Sequence, residues 1–420
     1  MPPSSCDVAI VGAGAAGLAT AIFARRFNPA LSVVVLDGAR SPGAKILVSG
    51  GSRCNVTNVS VSEHDFWGGP PAIVRRVLRA FPVADTIAFF REIGIALHEE
   101  AGGKLFPDTN RARDVLDALL REARRVGAVI APAARVLDVV ARRDGDRFHL
   151  ATAAGDLRAS RVVLATGGRA LPKSGSDGAG YEFAKRAGHT LVATTPALVP
   201  LLLAPDDGVH ASVAGVAHDV ELAVRVDGAV AIRLTGALLW THFGISGPVV
   251  LNASRHWLRA QTEGHAAALT VNVCAGRPFD AVDREWQQLA RSAPKSSVQT
   301  TLASIVPASV AAAFLRRLEI DGSVALAHLA RDDRRRLVGA IVEWPLPVTG
   351  SRGYTYAEAT AGGVTLAEID ARSMASRVCP GLSLVGEILD VDGRIGGYNF
   401  QWAWASGRLA GNSAARASIG

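Results

Sequence analysis

The segment SGGSRCNVTN, residues 49–58, places one thiol between a guanidinium and a carboxamide in a glycine-rich loop. Two roles follow for Cys54. It is either a proton donor, with Arg53 lowering the thiol pKa or binding an anionic group, or a small buried residue that packs and exchanges no proton. The packing role is favoured, because most free cysteines are structural.

Two further side chains have the chemistry of a general acid. His242 lies in the segment LLWTHFGISGP, and Tyr398 follows two glycines in GGYNF. For His242 the alternative is a histidine at a strand edge, hydrogen-bonded within a turn, and this alternative is slightly favoured. Each of these groups can act only where the fold brings it to a reacting molecule.

Gly12, Gly14 and Gly17 form the pattern GxGxxG between a predicted strand and a predicted helix. In such a turn the glycines permit a tight bend and close approach to a pyrophosphate, and the helix N-terminus supplies free N–H groups. Asp37 ends the next predicted strand, 20 residues past Gly17, where a carboxylate accepts a ribose hydroxyl. These features predict dinucleotide binding; the alternative is a glycine-rich turn without a ligand.

Two later segments favour FAD over NAD as that dinucleotide. VVLATGG, residues 162–168, ends a predicted strand with Thr-Gly-Gly, which lets the backbone approach a second stretch of nucleotide. In residues 385–407 the pair Gly396 and Gly397 opens a helix, where N–H groups stabilise negative charge on a reduced flavin. The sequence has no second GxGxxG, so no separate nicotinamide domain is predicted.

The spacing of apolar residues predicts an α/β protein. Short β-branched runs such as SVVVLD are typical of a parallel sheet covered on both faces. Further along, VELAVRVDGAVAIRL predicts antiparallel strands joined by an Asp-Gly turn, and helical spacing then returns. We predict one α/β domain split by a long insertion. The predicted parts are 1–192 (α/β), 193–275 (a β-rich insert), 276–345 (a helical insert) and 346–420 (α/β).

Composition excludes several classes of protein. With 420 residues, of which 49% are hydrophobic and 20% charged, the chain can pack two or three units and is not disordered. It has no run of about 18 uncharged apolar residues, and no basic region precedes its first apolar stretch. The four cysteines form no CxxC pair, which argues against a metal site. We expect a cytoplasmic protein with no membrane span and no metal.

The net charge is +7, and the isoelectric point is near 9.6. A basic balance is typical of proteins with anionic partners such as RNA, but it equally fits an arginine-rich composition without a binding face. The same two interpretations apply to each cluster of arginines, and a solvated helix face is favoured for any single cluster. The clusters contain Arg75, Arg76 and Arg79, and Arg331, Arg334, Arg335 and Arg336.

The motifs together resemble the BaiN/YhiN-like flavoproteins, the BaiN/RdsA family of FAD-dependent oxidoreductases. The resemblance rests on DVAIVGAGAAGLATA, GAKILVSGGSRCNVTN, VVLATGGRALPKSGSDGAGYEFAKRAGH, LTGALLWTHFGISGPVVL, EATAGGV and VGEILDVDGRIGGYNFQWAWASGRLAG. It covers nearly the whole chain. It implies a discontinuous, GR-type Rossmann-like FAD-binding domain that carries a β-rich insert and a small helical insert.

The resemblance also implies which residues hold a non-covalent FAD. The glycine turn would hold the pyrophosphate, Asp37 the ribose, the loop around Cys54 the region near the ring, and the C-terminal segment the ribitol and the flavin. The predicted cofactor-contacting residues are Gly12, Gly14, Ala15, Ala16, Gly17, Asp37, Gly38, Lys45, Ser49, Gly50, Gly51, Arg53, Cys54, Asn55, Thr166, Gly167, Gly168, Gly386, Glu387, Asp390, Gly396, Gly397, Tyr398 and Asn399.

The family's reactions imply reduction of a conjugated C=C bond, with NAD(P)H as a transient reductant. One substrate class is uridine in ribosomal RNA, and the other is a small hydrophobic enone such as a bile-acid intermediate. The basic charge favours RNA. Cys54, His242 and Tyr398 are then the candidates for the proton that accompanies the hydride. A third alternative is a non-enzymatic protein that binds flavin and acts in redox sensing or with RNA.

Overall fold

The computed structural model describes residues 3–141, 148–205 and 209–416. The chain divides into unit 1, with residues up to Thr194 and from Glu358 onward, and unit 2, from Thr195 to Ala357. The strands are β1 (Ser5–Val11), β2 (Val33–Leu36), β3 (Thr57–Asn58), β4 (Phe66–Gly68), β5 (Leu97–Glu100), β6 (Lys104–Pro107), β7 (Val129–Ala131), β8 (Val136–Ala141), β9 (Phe148–Thr152), β10 (Leu157–Leu164), β11 (Leu191–Ala197), β12 (Leu201–Leu203), β13 (Ala217–Val226), β14 (Ala229–Thr241), β15 (Gly244–Ser246), β16 (Ala267–Asn272), β17 (Trp344–Leu346), β18 (Val348–Ser351), β19 (Ala359–Val364), β20 (Leu382–Leu384) and β21 (Val391–Gly393). The helices are α1 (Ala15–Phe27), α2 (Ala44–Ser52), α3 (Pro71–Ala80), α4 (Val83–Glu92), α5 (Ala112–Arg125), α6 (Ala179–Arg186), α7 (Val209–Ser212), α8 (Pro248–Thr262), α9 (Phe279–Ser292), α10 (Val298–Ala303), α11 (Ala308–Leu318), α12 (Arg331–Val342) and α13 (Tyr398–Arg416).

Unit 1 contains the sheet that the buried β-branched runs predict. Strands β7, β2, β1, β10 and β20 lie side by side and run parallel, and β9 and β8 continue the sheet antiparallel beyond β10. All four residues of β2 are buried, as a strand covered on both faces requires. The carboxyl ends of β2, β1, β10 and β20 therefore meet at one edge, where open α/β sheets bind ligands.

Helices α1 and α13 pack closely because small residues face each other. A Cβ atom added at Gly407 would lie 2.6 Å from the carbonyl oxygen of Ala16, and one at Gly411 would lie 2.5 Å from that of Thr20. Neither position has room for a side chain. The C-terminal helix is thus held against the first helix, which begins at the glycine turn.

Unit 2 is built on an antiparallel sheet in the order β17-β16-β13-β14-β15-β12-β18. The hairpin β13–β14 turns at Asp227 and Gly228, which both have positive φ, as the tightest hairpin turns require. The α/β class with an additional β-rich region is confirmed.

One hydrophobic core in unit 2 includes residues from the sheet and from the helices that follow it, among them Trp240, Trp286 and Phe314. Helix α8 packs on β13 and β14, and α12 packs on β16. The sequence predicts that this region is divided between residues 275 and 276 into a β-rich insert and a helical insert. Whether the two parts fold independently stays a prediction.

Candidate dinucleotide site

The turn between β1 and α1 uses its three glycines in different ways. A Cβ atom added at Gly12 would lie 2.4 Å from the carbonyl oxygen of Ala165, and one at Gly17 would lie 1.9 Å from that of Gly12. These two positions are closed by the protein's own backbone. At Gly14 an added Cβ would meet nothing within 4 Å, and no side chain caps the helix that starts there. Gly14 therefore leaves open space at a helix N-terminus, beside Ala15 and Ala16.

Asp37, directly after β2, holds this turn in place. Its Oδ2 accepts a hydrogen bond of 2.8 Å from the backbone N–H of Ala13, and its Oδ1 accepts one of 2.8 Å from Ala39. A carboxylate has about four acceptor positions, so it can still accept from a ribose hydroxyl. Gly38 beside it is exposed, and an added Cβ there would contact the side chain of Arg135.

Glu387 connects three of the segments that are predicted to contact the cofactor. It forms an ion pair with Lys45, and its Oε1 accepts a hydrogen bond of 3.0 Å from the backbone N–H of Thr360. A Cβ added at Gly168 would lie 2.4 Å from Thr360 Oγ1 and 2.9 Å from Glu387 Oε1. Thr360 Oγ1 also accepts from the N–H of Arg169 at 2.8 Å. The strand end after β10, the first turn of α2 and the turn after β20 thus meet at one carboxylate.

Gly386 connects this carboxylate to the two packed helices. Its N–H donates to Ser406 Oγ at 3.1 Å, and its carbonyl accepts from Trp402 Nε1 at 3.1 Å. A Cβ added here would lie 2.9 Å from the Cβ of Ala16. The turn after β20 is consequently fixed against the N-terminal part of α1.

The loop around Cys54 bends through left-handed backbone after the first turns of α2. Gly50, Gly51, Ser52 and Cys54 all have positive φ, which costs little for glycine and more for the other two residues. The backbone N–H of Cys54 donates to the carbonyl of Ser49 at 3.0 Å, and Ser49 Oγ donates to Ile46 at 2.8 Å. This bend turns the Cys54 side chain inward.

Cys54 is fully buried and belongs to the hydrophobic core of unit 1. Burial raises the pKa of its thiol to about 12, and a hydrogen bond with Ser49 opposes that rise only in part. The expectation that Arg53 lowers this pKa is wrong. A thiol that is enclosed and holds its proton tightly supports the packing interpretation, while a catalytic role for Cys54 stays a prediction.

Arg53 and Asn55, the residues on either side of Cys54, contact other parts of unit 1. Arg53 forms a 2.5 Å ion pair with Glu100 and lies over the ring of Phe106, 4.1 Å from its centroid. Asn55 is buried, and in the amide orientation that satisfies both ends its oxygen accepts from the N–H of Gly397 at 3.1 Å. Asn55 therefore ties this loop to the start of α13.

The turn that precedes α13 is held together by hydrogen bonds of the Asn399 side chain. Asn399 accepts from the N–H of Gly393 at 2.8 Å and donates to the carbonyl of Gly393 at 2.9 Å, which closes a turn around the glycine pair. A Cβ at Gly397 would lie 2.5 Å from the carbonyl of Thr57. Asn399 thus shapes the loop, and its predicted contact with a cofactor stays a prediction.

Tyr398 and Asp390 are both largely buried beside this turn. Burial raises the pKa of the Tyr398 hydroxyl; the negative charge of Asp65 adds to that rise, and Arg394 opposes it. The backbone carbonyl of Asp390 accepts a 2.7 Å hydrogen bond from Gly69. Tyr398 is therefore protonated at neutral pH and can serve as a hydrogen-bond donor.

Thr166 and Gly167 follow β10, with Gly180 packed directly on Thr166. Close to them, the side chain of Ser176 is buried, and its Oγ has no hydrogen-bond partner within the described residues. A Cβ at Gly167 would lie 2.6 Å from that oxygen. A buried hydroxyl without a partner is uncommon in folded proteins. This polar group lies beside the Thr-Gly-Gly turn that is predicted to approach the nucleotide.

His242 belongs to unit 2 and is exposed in the turn between β14 and β15. Its ring contacts Phe243 edge to face, with 5.1 Å between the ring centroids. The turn location agrees with the simpler interpretation of this residue, and its exposure leaves it available to a substrate. Its catalytic role stays a prediction.

Three of the seven arginines in the two clusters form ion pairs with carboxylates of the described residues. Arg75 binds Glu63 at 2.6 Å, Arg334 binds Asp283 at 2.9 Å, and Arg336 binds Asp333 at 3.0 Å. The described part of the chain contains no group of three or more His, Cys, Asp and Glu side chains arranged to hold a metal ion. None of its described helices is both long and apolar enough to span a membrane.

The donor set of unit 1 fits FAD. Open backbone at a helix N-terminus suits a pyrophosphate, and a carboxylate at the end of β2 suits a ribose. Sequence reasoning named both features but missed Thr360, Ser176 and the buried pair formed by Thr57 and Gln401, whose side chains are 2.7 Å apart. EATAGGV was the only sequence signal that pointed to Thr360.

The parallel sheet, the glycine turn at its edge and the segments that meet around Glu387 define an FAD-dependent oxidoreductase with a Rossmann-type fold. The family model described as HI0933-like protein Rossmann domain matches residues 6–413, and the chain belongs to this family. The resemblance stated from the sequence is confirmed.

Two relatives match over nearly their whole length. The chain is 34% identical over 415 residues to a 3-dehydro-bile acid delta(4,6)-reductase of Clostridium scindens, covering 97% of this chain and 98% of that protein. It is 33% identical over 401 residues to a ribosomal RNA dihydrouridine synthase of Escherichia coli, covering 95% and 96%. Among solved structures, a quinol-fumarate reductase with menaquinol molecules aligns at a TM-score of 0.52 and 17% identity, over 100% of this chain and 73% of that chain. That likeness shows the fold.

Proposed function

We propose that the protein reduces a conjugated C=C bond and that its substrate is uridine in ribosomal RNA, which becomes dihydrouridine. The meeting of three predicted segments around Glu387 and the open N-terminus of α1 carries the cofactor part of this proposal. The relatives in Escherichia coli and Haemophilus influenzae, both ribosomal RNA dihydrouridine synthases, and the net charge of +7 support the substrate.

When bound and reduced, FAD would supply a hydride to one carbon of the double bond. The N–H groups after Gly14 would bind its pyrophosphate, Asp37 would accept from the ribose, and Lys45 with Glu387 would border the ribitol. The free N–H groups at the N-terminus of α13, after Gly397, would stabilise negative charge on the reduced flavin.

The other carbon of the double bond takes a proton from the protein. We assign this proton to His242 or Tyr398 before Cys54, because the thiol has no exposed surface and a pKa of about 12. An imidazole is the commonest general acid in enzymes. Replacing each residue in turn and measuring turnover at saturating reductant distinguishes the two.

We propose NAD(P)H as the electron donor, since one GxGxxG is present and a reductant that binds transiently needs no second Rossmann domain. Mixing the FAD-loaded protein with NADPH or NADH under anaerobic conditions should bleach the flavin faster than free flavin is bleached. Bleaching at the free-flavin rate would contradict this assignment. A cytoplasmic location follows from a ribosomal RNA substrate.

A second candidate substrate is a small steroid enone, which the 34% identity to the bile-acid reductase favours. It would use the same hydride and proton transfers. The two candidates are separated by assaying the purified protein with each substrate.

The test of the main proposal is the dihydrouridine content of ribosomal RNA in a strain that lacks the gene. We expect the modification to disappear, to return with the wild-type gene, and to stay absent with a Gly14→Ala gene that produces folded protein. Survival of the modification in the deletion strain would contradict the RNA proposal, and turnover of a steroid enone by the same protein would replace it.

A further inference from the structure

A stack of one arginine and two aromatic rings lies in unit 2, in residues that the FAD site does not use. The guanidinium carbon of Arg352 is 3.4 Å from the ring centroid of Tyr356 and 4.6 Å from that of Phe243. His242 contacts Phe243 edge to face. A planar cation is thus held against the faces of two rings.

The antiparallel sheet brings these residues together. Strand β12 pairs with β15 on one side and with β18 on the other, at Leu201 and Leu202 in both cases. Phe243 directly precedes β15, and Arg352 directly follows β18. Their backbones are fixed to β12 and the residue before it: Leu203 donates to the carbonyl of Phe243 at 3.2 Å, and Arg352 donates to that of Pro200 at 3.1 Å.

Arg352 differs in its partners from two other arginines of unit 2. Among the described residues no carboxylate lies within 4.0 Å of its guanidinium, whereas Arg225 and Arg233 in the same unit each pair with a glutamate. Two hydroxyl groups in the same two segments, those of Thr241 and Tyr354, are buried and have no partner within the described ranges. Tyr356 itself remains 49% exposed.

We propose that the side chains of Phe243, Arg352 and Tyr356, here called the stacking cluster, bind a single-stranded RNA nucleotide. A base stacks on the Tyr356 ring, and a phosphate oxygen accepts from Arg352. Proteins bind unpaired RNA bases on aromatic rings and guanidinium planes in this way, and arginine recognises phosphate through paired donors. The proposal rests on the proposed RNA substrate and adds the site that holds it.

The cluster fits a nucleotide better than an aliphatic steroid. A flat aromatic face gains most from another planar π-system, and an unpaired cation gains most from an anion. A nucleotide presents both groups a few ångströms apart.

The test uses the FAD-loaded full-length protein and a fluorescein-labelled single-stranded RNA oligonucleotide that contains uridines. Affinity is measured by anisotropy at low and at moderate salt concentration. The variants are Tyr356→Ala, Tyr356→Phe and Arg352→Lys. The matched control is Arg186→Lys, which also keeps the charge and replaces an arginine that lies over Phe183, 5.4 Å from its ring centroid, in unit 1.

We expect Tyr356→Ala to weaken RNA binding at least about fivefold, because one stacked base is lost. Tyr356→Phe should bind within about twofold of the wild type, since its ring still stacks. Arg352→Lys, which keeps the charge but loses the planar group, should weaken binding more than Arg186→Lys does. FAD content and the unfolding transition in urea should be the same in all variants, which shows that both units are folded.

Equal affinity of Tyr356→Ala and wild type would overturn the stacking cluster while leaving the RNA proposal intact. Equal losses in Arg352→Lys and Arg186→Lys would do the same, because loss of the planar group would then matter no more in the cluster than elsewhere. Absence of RNA binding by the wild type would overturn both proposals. Loss of steroid-enone binding in Tyr356→Ala with unchanged RNA binding would reassign the cluster to the small substrate.

Discussion

Units 1 and 2 use different means to build a surface for a ligand. In unit 1 the important positions are glycines whose missing side chains are replaced by neighbouring backbone, as at Gly12, Gly17 and Gly397. In unit 2 the notable surface consists of side chains on two turns, with Arg352 between aromatic rings and Tyr356 half exposed. The first surface is set by backbone geometry and the second by the choice of side chain.

This difference separates two tasks. A dinucleotide is the same molecule for every member of a flavoprotein family, so a site made of backbone and tight turns suits it. A substrate differs between relatives, as the bile-acid reductase and the RNA-modifying enzyme illustrate. Side chains on turns can change without disturbing the fold. Substitutions of the closely packed glycines of unit 1 should therefore affect stability and FAD together, and substitutions in the turns of unit 2 should affect substrate alone.

The largest effect is expected for Gly17→Ala. The new methyl group would lie 1.9 Å from the carbonyl oxygen of Gly12, and both groups belong to a fixed turn. We expect a loss of about 3 kcal/mol or more in the free energy of unfolding, measured by urea denaturation without FAD. The control is Gly339→Ala in α12, where the methyl meets nothing within 4 Å. Loss of less than about 1 kcal/mol in Gly17→Ala would show that the turn is not tight.

The ion pair of Lys45 and Glu387 should be worth more than a surface pair. Its side chains are 24% and 19% exposed, whereas those of Arg225 and Glu343 in unit 2 are 30% and 53% exposed. Double-mutant cycles with Lys45→Met, Glu387→Gln, Arg225→Met and Glu343→Gln compare the two pairs. We expect a coupling energy of about 1–2 kcal/mol in unit 1 and below about 0.5 kcal/mol in unit 2. Equal coupling energies would remove this distinction between the units.

Cys54→Ala should cost about 1 kcal/mol of stability and leave turnover within about twofold of the wild type. A thiol whose pKa is raised to about 12 by burial stabilises the fold fully below its ordinary value of 9.0, and this contribution is lost as the pH rises towards 12. Cys54→Ala should therefore show a weaker decline in stability between those two pH values.

Thiol labelling gives a second measurement on the same residue. At pH 8, in the folded wild type, Cys54 should resist a thiol-specific reagent that modifies it after unfolding. Rapid labelling of Cys54 in the native protein, or loss of turnover in Cys54→Ala with FAD retained, would return this residue to the role of proton donor.

The smallest effect is expected for Arg53→Lys. The ion pair with Glu100 is kept, but the planar group over Phe106 is lost, and both charged side chains are more than 30% exposed. We expect a change of about 0.5 kcal/mol in the free energy of unfolding and unchanged FAD content. A marked loss of FAD would show that Arg53 contacts the cofactor, as the sequence motif suggested.

The glycine turn and Asp37 could be predicted because their spacing along the chain is set by one strand, one helix and the next strand. The Asp-Gly hairpin of unit 2 was predictable for the same reason. The role of Thr360 could not be predicted, because its hydroxyl oxygen accepts hydrogen bonds from the backbone N–H groups of Arg169 and Ala170, about 190 residues earlier in the chain. Contacts of this length depend on how whole elements pack, and composition or periodicity does not encode them.

Cys54 and Asn399 show a second limit of sequence reasoning. Both stand in motifs rich in glycine and polar residues, which favours an exposed, ligand-facing position. In the structure, a bend of four residues with positive φ, Cys54 among them, directs the Cys54 side chain into the core. The amide oxygen and the amide nitrogen of Asn399 both form hydrogen bonds with the backbone of Gly393. The backbone path within the loop decides where a side chain points, and residue type alone does not determine that path.

The most direct test of the cofactor site is an FAD titration of Gly14→Ala. At this position φ is −82°, so alanine is tolerated, and the new methyl would occupy only the open space at the start of α1. We predict unfolding like that of the wild type without FAD, and FAD binding weakened by about tenfold or more, a change of about 1.4 kcal/mol. Gly339→Ala should bind FAD like the wild type. Equal FAD affinity of Gly14→Ala and wild type would contradict the placement of the pyrophosphate at this turn.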